Sequence, residues 1–190
     1  MAATKEDRRI QRTRGAVHEA FTRLVFEGRR YDRIKVADLI ERAGVGRSTF
    51  YEHYRNKHDV LAETIRYPFA PLADAVGVGF DIRALRASLL HFREHASQAR
   101  AIFGGSARRP VARVLAAMIE ERLHARAKRR GMTAAIPIRI ASIAIADAQL
   151  AAIGAWLAGE IACDVAVLAQ TLSDIAQASA ARLCGEDATR

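Results

Sequence analysis

Apolar residues recur at helical spacing along most of this chain, and β-branched runs are scarce. From Lys5 to about Glu27, the residues Ile10, Val17, Phe21, Leu24 and Val25 share one stripe with arginines opposite, and Gly28 suits the left-handed position that ends a helix. A second, short helix over Val36–Ala43 turns Leu39, Ile40 and Ala43 inward. Gly44-Val45-Gly46 is a turn, and Arg47 to Tyr54 form a third helix with Phe50 and Tyr54 inward. Asn56 suits the N-cap of a fourth, with Asp59 at its third position and a buried face of Val60, Leu61 and Ile65. Tyr67-Pro68 should bend or end that helix.

Further on, Asp81 reads as an N-cap, and Leu85, Leu89, Leu90 and Phe92 mark a helix to about Ala96. A short helix reaches Phe103, Gly104-Gly105-Ser106 breaks it, and a long helix runs from Ala107 to Arg130, closed by Gly131. Two Ala-rich, nearly uncharged helices finish the chain, at about 136–159 and 163–184. Residues 140–159, IASIAIADAQLAAIGAWLAG, are apolar nearly all round, so the helix they form must be buried on every side. Their length would cross a bilayer. Against that, Asp147 sits in mid-segment at a cost of roughly 2.5–3.5 kcal/mol, Ala replaces Leu, and no Lys or Arg brackets the following loop. The expectation is a packed helix and no membrane.

Composition sharpens this picture. The 190 residues are 51% hydrophobic and 27% charged, enough for a sizeable core with a soluble surface. Net charge is +9, and residues 1–60 hold 14 of the 30 Lys and Arg, whereas none lies between Arg139 and Arg182. The N-terminal third is therefore suited to polyanions and the C-terminal stretch to apolar contacts. Cys163 and Cys184, with no CxxC, read as small buried thiols in a reducing compartment, and the sequence leaves a redox role undecided. The start MAATKEDRR has no apolar secretory segment, so a cytoplasmic protein is expected.

The stretch GVGRSTFYEHYRNKHDV, residues 44–60, carries the clearest chemistry. Two short helices joined by a glycine turn make a helix-turn-helix, whose second helix lies against phosphates and base edges in a major groove. Its outward face offers Arg47, Ser48, Thr49, Tyr51, His53 and Arg55, with Glu52 the only acid. Arg47 suits guanine or phosphate, Ser48 and Thr49 suit phosphates near the helix start, and Tyr51 suits a sugar or a thymine methyl. Lys57, a cation in the first turn of a helix, opposes the macrodipole unless a phosphate lies there.

The run IKVADLIERAGVGRSTFYEHYRNKHDVL, Ile34 to Leu61, resembles the DNA-binding signature of the TetR/AcrR family of bacterial transcription regulators. The matching positions include Val36, Asp38, Leu39, Ile40, Ala43, Gly44, Val45, Thr49, Phe50, Tyr51, His53, Tyr54, Lys57 and Leu61, within a resemblance over about residues 8–66. Three positions depart from the pattern: Lys35 replaces a capping Ser or Thr, Gly46 replaces a Ser, and Tyr54 stands where Phe is common. Arg47, Ser48, Thr49, Tyr51 and His53 are expected to face the groove and Lys35, Arg55 and Lys57 to hold phosphates, with Val36 completing the DNA-binding set; the resemblance implies a DNA-binding head at 1–55 and an effector-binding, dimerising body at 56–190. The expected fold is all-α, about nine helices, with a three-helix head and an antiparallel helical bundle. It also implies a homodimer through the last two helices, a palindromic double-stranded operator, and repression relieved by a small hydrophobic or amphipathic effector.

Candidate effector-lining residues are Phe69, Leu72, His91, Phe92, His95, Phe103, Met118 and His124. Candidate dimer contacts are Ile145, Leu150, Trp156, Leu168, Leu172 and Ile175. Residues 91–95, HFREH, also fit the H-x-x-E-H metal pattern, with two His on one helix face. The pattern is short and no cleft accompanies it, so no metal, cofactor or catalytic residue is assigned. The same DNA-binding dimer with only a protein partner, or a His-based metal sensor, stands as the alternative. ARAKRR, residues 125–130, complements its helix C-terminus. No phosphate-binding glycine loop or nucleophile elbow is present.

Overall fold

A computed structural model describes residues 5–131 and 137–183, so Cys184 and the expected helix start at Ile136 lie outside the described residues. Among the described residues the structure is helical, with no strand. In chain order the helices are α1 (Lys5–Phe26), α2 (Val36–Ala43), α3 (Arg47–His53), α4 (Lys57–Asp74), α5 (Ile82–Glu94), α6 (Ala96–Gly104), α7 (Arg108–Arg130), α8 (Ile138–Ala158) and α9 (Val165–Leu183). A single 3-10 turn, Tyr31–Arg33, joins α1 to α2. The all-helical expectation holds, and most ends fall within two residues of those read from the sequence.

Helices α1 to α3 span the expected head. Val17, Phe21 and Leu24 of α1 meet Leu39 of α2 and Phe50 of α3, all buried. Helix α4 then leaves the head, packing on α1 near its start and on α7 further along. Helix α7 lies against both α4 and α8, α5 packs on α9, and α6 sits between α8 and α1. One apolar core runs without interruption from Val17 to Leu183, so head and body are packed together rather than tethered.

Helix α4 departs from expectation. It passes through Pro68 and Pro71 and ends only at Asp74. Each proline removes one intrahelical bond and costs about 3 kcal/mol in a free helix. Burial of Ile65, Phe69 and Leu72, at roughly 1.5–3 kcal/mol each, outweighs much of that cost. The carbonyls left without an N–H partner belong to Thr64 and Tyr67, and Tyr67 is 90% exposed, where water serves.

The far end of α4 is held by side chains from three other helices. Gln149 of α8 donates to the Leu72 carbonyl at 3.0 Å. Buried Arg126 of α7 donates to the Val76 carbonyl at 2.7 Å and to Gln177 Oε1 at 2.8 Å. Gln177 of α9 donates in turn to the carbonyls of Ala75 and Gly77. The basic run read as a solvated helix end thus contributes one buried, structural arginine.

Candidate nucleic-acid interface and adjoining cavity

The recognition turn is built by glycine and by packing. Gly44 ends α2 in the left-handed region at φ +62°, where a side chain would be strained, and its N–H returns to Glu41 and Ile40. Gly46 opens α3 in extended geometry without a side-chain cap. Phe50 is fully buried, and Tyr54, 3% exposed, follows α3. That anchoring turns Arg47, Ser48, Tyr51 and Glu52 to solvent and leaves Thr49 and His53 half-buried. Tyr51 is 46% exposed, and the Arg47 guanidinium lies 5.7 Å from its ring centre, a cation over an aromatic face.

Lys35 is exposed and Val36 half-buried at the start of α2. The Asp38 carboxylate accepts the Lys35 backbone N–H at 2.8 Å, half of a capping box. An ammonium has no lone pair to supply the other half. Asp38 also pairs with Arg29 at 2.8 Å.

Helix α4 is capped as the sequence implies: Asn56 Oδ1 accepts from the backbone N–H groups of His58 and Asp59. Asp59 bonds one residue earlier than a capping box requires, to the N–H and guanidinium of Arg55. Arg55 remains at the surface, in reach of a phosphate.

Lys57 is placed differently from the sequence reading. Its Nζ donates to the carbonyls of Tyr31 and Ile34 at 2.8 Å and of Asp32 at 3.3 Å, and sits 4.7 Å from the Tyr31 ring centre. An ammonium has three donors, and all three are spent within the fold. Its unfavourable helix position is explained by this clasp on the 3-10 turn and not by a phosphate. Burial holds its pKa below the ordinary lysine value, with Asp32 and Asp38 opposing.

Two buried phenols complete the clamp. Tyr54 OH lies 3.0 Å from His18 Nε2, which gives the departure from Phe a partner. Tyr31 OH lies 2.7 Å from His58 Nδ1. Burial pushes both phenols up to about 12. His18 is held below the usual histidine range, by burial first, with Glu63 opposing and Arg14 reinforcing. Arg14 ties α1 to α4 through Glu63 at 2.8 Å.

Beside this clamp, a cavity of about 340 Å³ opens between α1, α4, α5 and α6. Phe69, Phe92 and Phe103 pack there with ring centres 5.1–5.5 Å apart. Of the eight expected effector residues, Phe69, His91, Phe92, His95 and Phe103 line it. Leu72 and Met118 are buried in the core elsewhere, and His124 is on the surface. The sequence reading missed Phe21, Val25 and Phe26 of α1, which bring the head into the cavity wall, and Gln98, whose Oε1 is buried without a hydrogen-bond partner.

The expected dimer contacts lie mostly inside the chain's own core. Ile145, Leu150, Trp156, Leu168 and Leu172 are all buried within the protomer, and only Ile175 is exposed. Trp156 donates to the Cys163 carbonyl at 3.0 Å, securing the α8–α9 turn. The outward apolar residues are instead Ile140 and Ile143 of α8, Ile161, and Val167 and Ile175 of α9. Helix α8 is long and apolar enough to cross a membrane, yet half of its most apolar window is buried in the protein. Asp147 pairs with Arg108 at 3.2 Å.

Comparison with known proteins bears on both regions. Residues 20–64 match the family described as bacterial regulatory proteins, tetR family. An uncharacterized HTH-type transcriptional regulator of Bacillus subtilis (strain 168), YxbF, is 37% identical over 68 residues. That match spans 36% of this chain and only 18% of the relative, well under two thirds of its length. A TetR transcriptional regulator from Streptococcus agalactiae 2603V is similar over 90% of this chain and 97% of its own, at 27% identity and a TM-score of 0.58. A TetR-family regulator structure from Syntrophomonas wolfei covers 90% and 95% at 17% identity and a TM-score of 0.51, a likeness of fold alone.

Proposed function

We propose that this chain is a transcriptional regulator of the tetR family, that it reads a palindromic double-stranded operator as a homodimer, and that a small, mostly apolar effector releases it. The protein is in this reading a regulator and not an enzyme. In this reading residues 1–55 are the reading head and 56–190 the body, working in the cytoplasm as a repressor.

The observation that carries the proposal is the exposed face of α3. Arg47, Ser48 and Tyr51 stand outward on a helix whose other face is anchored by Phe50, so the donors are presented on a rigid support. Thr49, His53, Lys35, Val36 and Arg55 flank them. Lys57 supports the head from inside and is withdrawn from the phosphate-holding set.

The apolar stripe of Ile140, Ile143, Val167 and Ile175 supports dimerisation through α8 and α9. A two-fold pair of heads would then meet half-sites about 34–36 Å apart, or a multiple of that. The cavity supports the effector: its volume lies in the range of small-molecule sites, and the unpaired Gln98 oxygen favours a molecule with one hydrogen-bond donor. Because α1 and α4 both line it, an occupant that prefers one setting of α4 would change the spacing of the heads.

The test is substitution on the operator. Arg47→Ala and Tyr51→Ala should each weaken operator binding by about fivefold to a hundredfold, the worth of one good base contact. Affinities within twofold of the parent, with folding intact, would sink the proposal.

A further inference from the structure

Two residues of the cavity wall belong to a second constellation. Near the C-terminal end of α5, His91, Glu94 and His95 each bring a ligand atom within 4.8 Å of the other two. The imidazole ring centres of His91 and His95 are 4.5 Å apart. The backbone dictates this: positions i, i+3 and i+4 share a helix face. We infer that His91, Glu94 and His95 form a binding site for one divalent transition-metal ion of the zinc, nickel or cobalt class. The inference is independent of the effector reading.

A further observation points to a metal rather than to a solvated face. His95 Nδ1 lies 3.0 Å from the His91 carbonyl, so it carries the proton and donates, leaving Nε2 with a free lone pair. A ligating histidine almost always has its other nitrogen fixed in this way. The site lies where α5 gives way to α6, with His95 ending the one and opening the other, so the two helix dipoles oppose there and the side chains alone carry the site. Imidazole nitrogens with a carboxylate suit zinc-class ions rather than calcium or magnesium.

A tetrahedral zinc with bonds near 2.0–2.1 Å sets its ligands roughly 3.3–3.5 Å apart. The three side chains are exposed and close that distance by rotation about their own bonds. Three protein ligands leave one position of the tetrahedron open. His91 and His95 also line the cavity, so the bound ion would sit on its wall and pin the α5–α6 elbow.

The experiment uses untagged, full-length protein stripped with chelator, titrated with zinc by calorimetry at pH 7.5 and with cobalt by visible absorption. Saturation at one ion per chain is expected, with the cobalt bands of a four-coordinate site. His95→Gln and His91→Gln should each weaken binding at least tenfold, Glu94→Gln less so, and His124→Gln not at all. All four residues are exposed, so melting temperatures should stay near the parent's. Failure to saturate, or undiminished binding in the His91→Gln/His95→Gln double variant, would overturn the inference.

Discussion

At the scale of single residues, polar side chains that look available for DNA divide into those that are free and those already spent. Lys57 illustrates the second kind: its ammonium satisfies three carbonyls, and its removal leaves them short of a donor. Lys57→Met, which keeps the stem, should destabilise the protein by about 1–3 kcal/mol. It should leave the salt dependence of DNA binding unchanged, whereas loss of a phosphate contact lowers that slope by about one. A thermal melt and a salt titration separate the two; a stable variant with a reduced slope would return Lys57 to the phosphates.

His18 makes a second residue-scale case. The unfolded chain titrates near 6.5 and the folded His18 lower, so between those values the unfolded state binds more protons. The His18 contribution is fully present above about pH 6.5 and is lost as pH falls through the folded value. His18→Gln should therefore lose less stability than the parent on acidification from pH 7 to 5. Parallel losses in denaturant melts would show that His18 does not couple to folding.

At the scale of elements, helix ends were readable where a residue type carries the geometry. Asn56 and Asp81 cap as their types imply, and Gly44 and Gly131 take the left-handed position. The cap at Asp164, which accepts from Ala166 and Val167, was legible by the same rule and was missed. The continuation of α4 through two prolines was not legible, because local preference there is outweighed by tertiary burial of Ile65, Phe69 and Leu72. Asn56→Ala should cost about 1 kcal/mol by loss of the cap, measured by denaturant unfolding. No measurable change would mean that packing alone starts α4.

At the scale of the whole molecule, periodicity reveals that a helix is buried but not against what. Helix α8 is apolar nearly all round and α9 is nearly uncharged, and nothing in the spacing of α8 separates a face packed on the chain's own body from one open to a partner. Hence five expected dimer contacts are core, while Ile140, Ile143 and Val167 emerge only from the packing. The cavity is likewise a product of assembly: Phe21 and Phe103 are far apart in sequence and meet through α1 and α6. Ile175→Asp should convert a dimer to a folded monomer in analytical ultracentrifugation, while Leu168→Asp should unfold the protein. An unchanged dimer in the first variant would place the interface elsewhere.

The central claim is sequence-specific reading of DNA by the outward face of α3. Fluorescence anisotropy tests it most directly, with DNA from the gene's own upstream region beside a shuffled copy at physiological salt. Specific binding should be tighter by about 10³-fold or more. Equal affinity for both, falling steeply with salt, would mean that the head grips phosphates without reading bases, and would contradict the account.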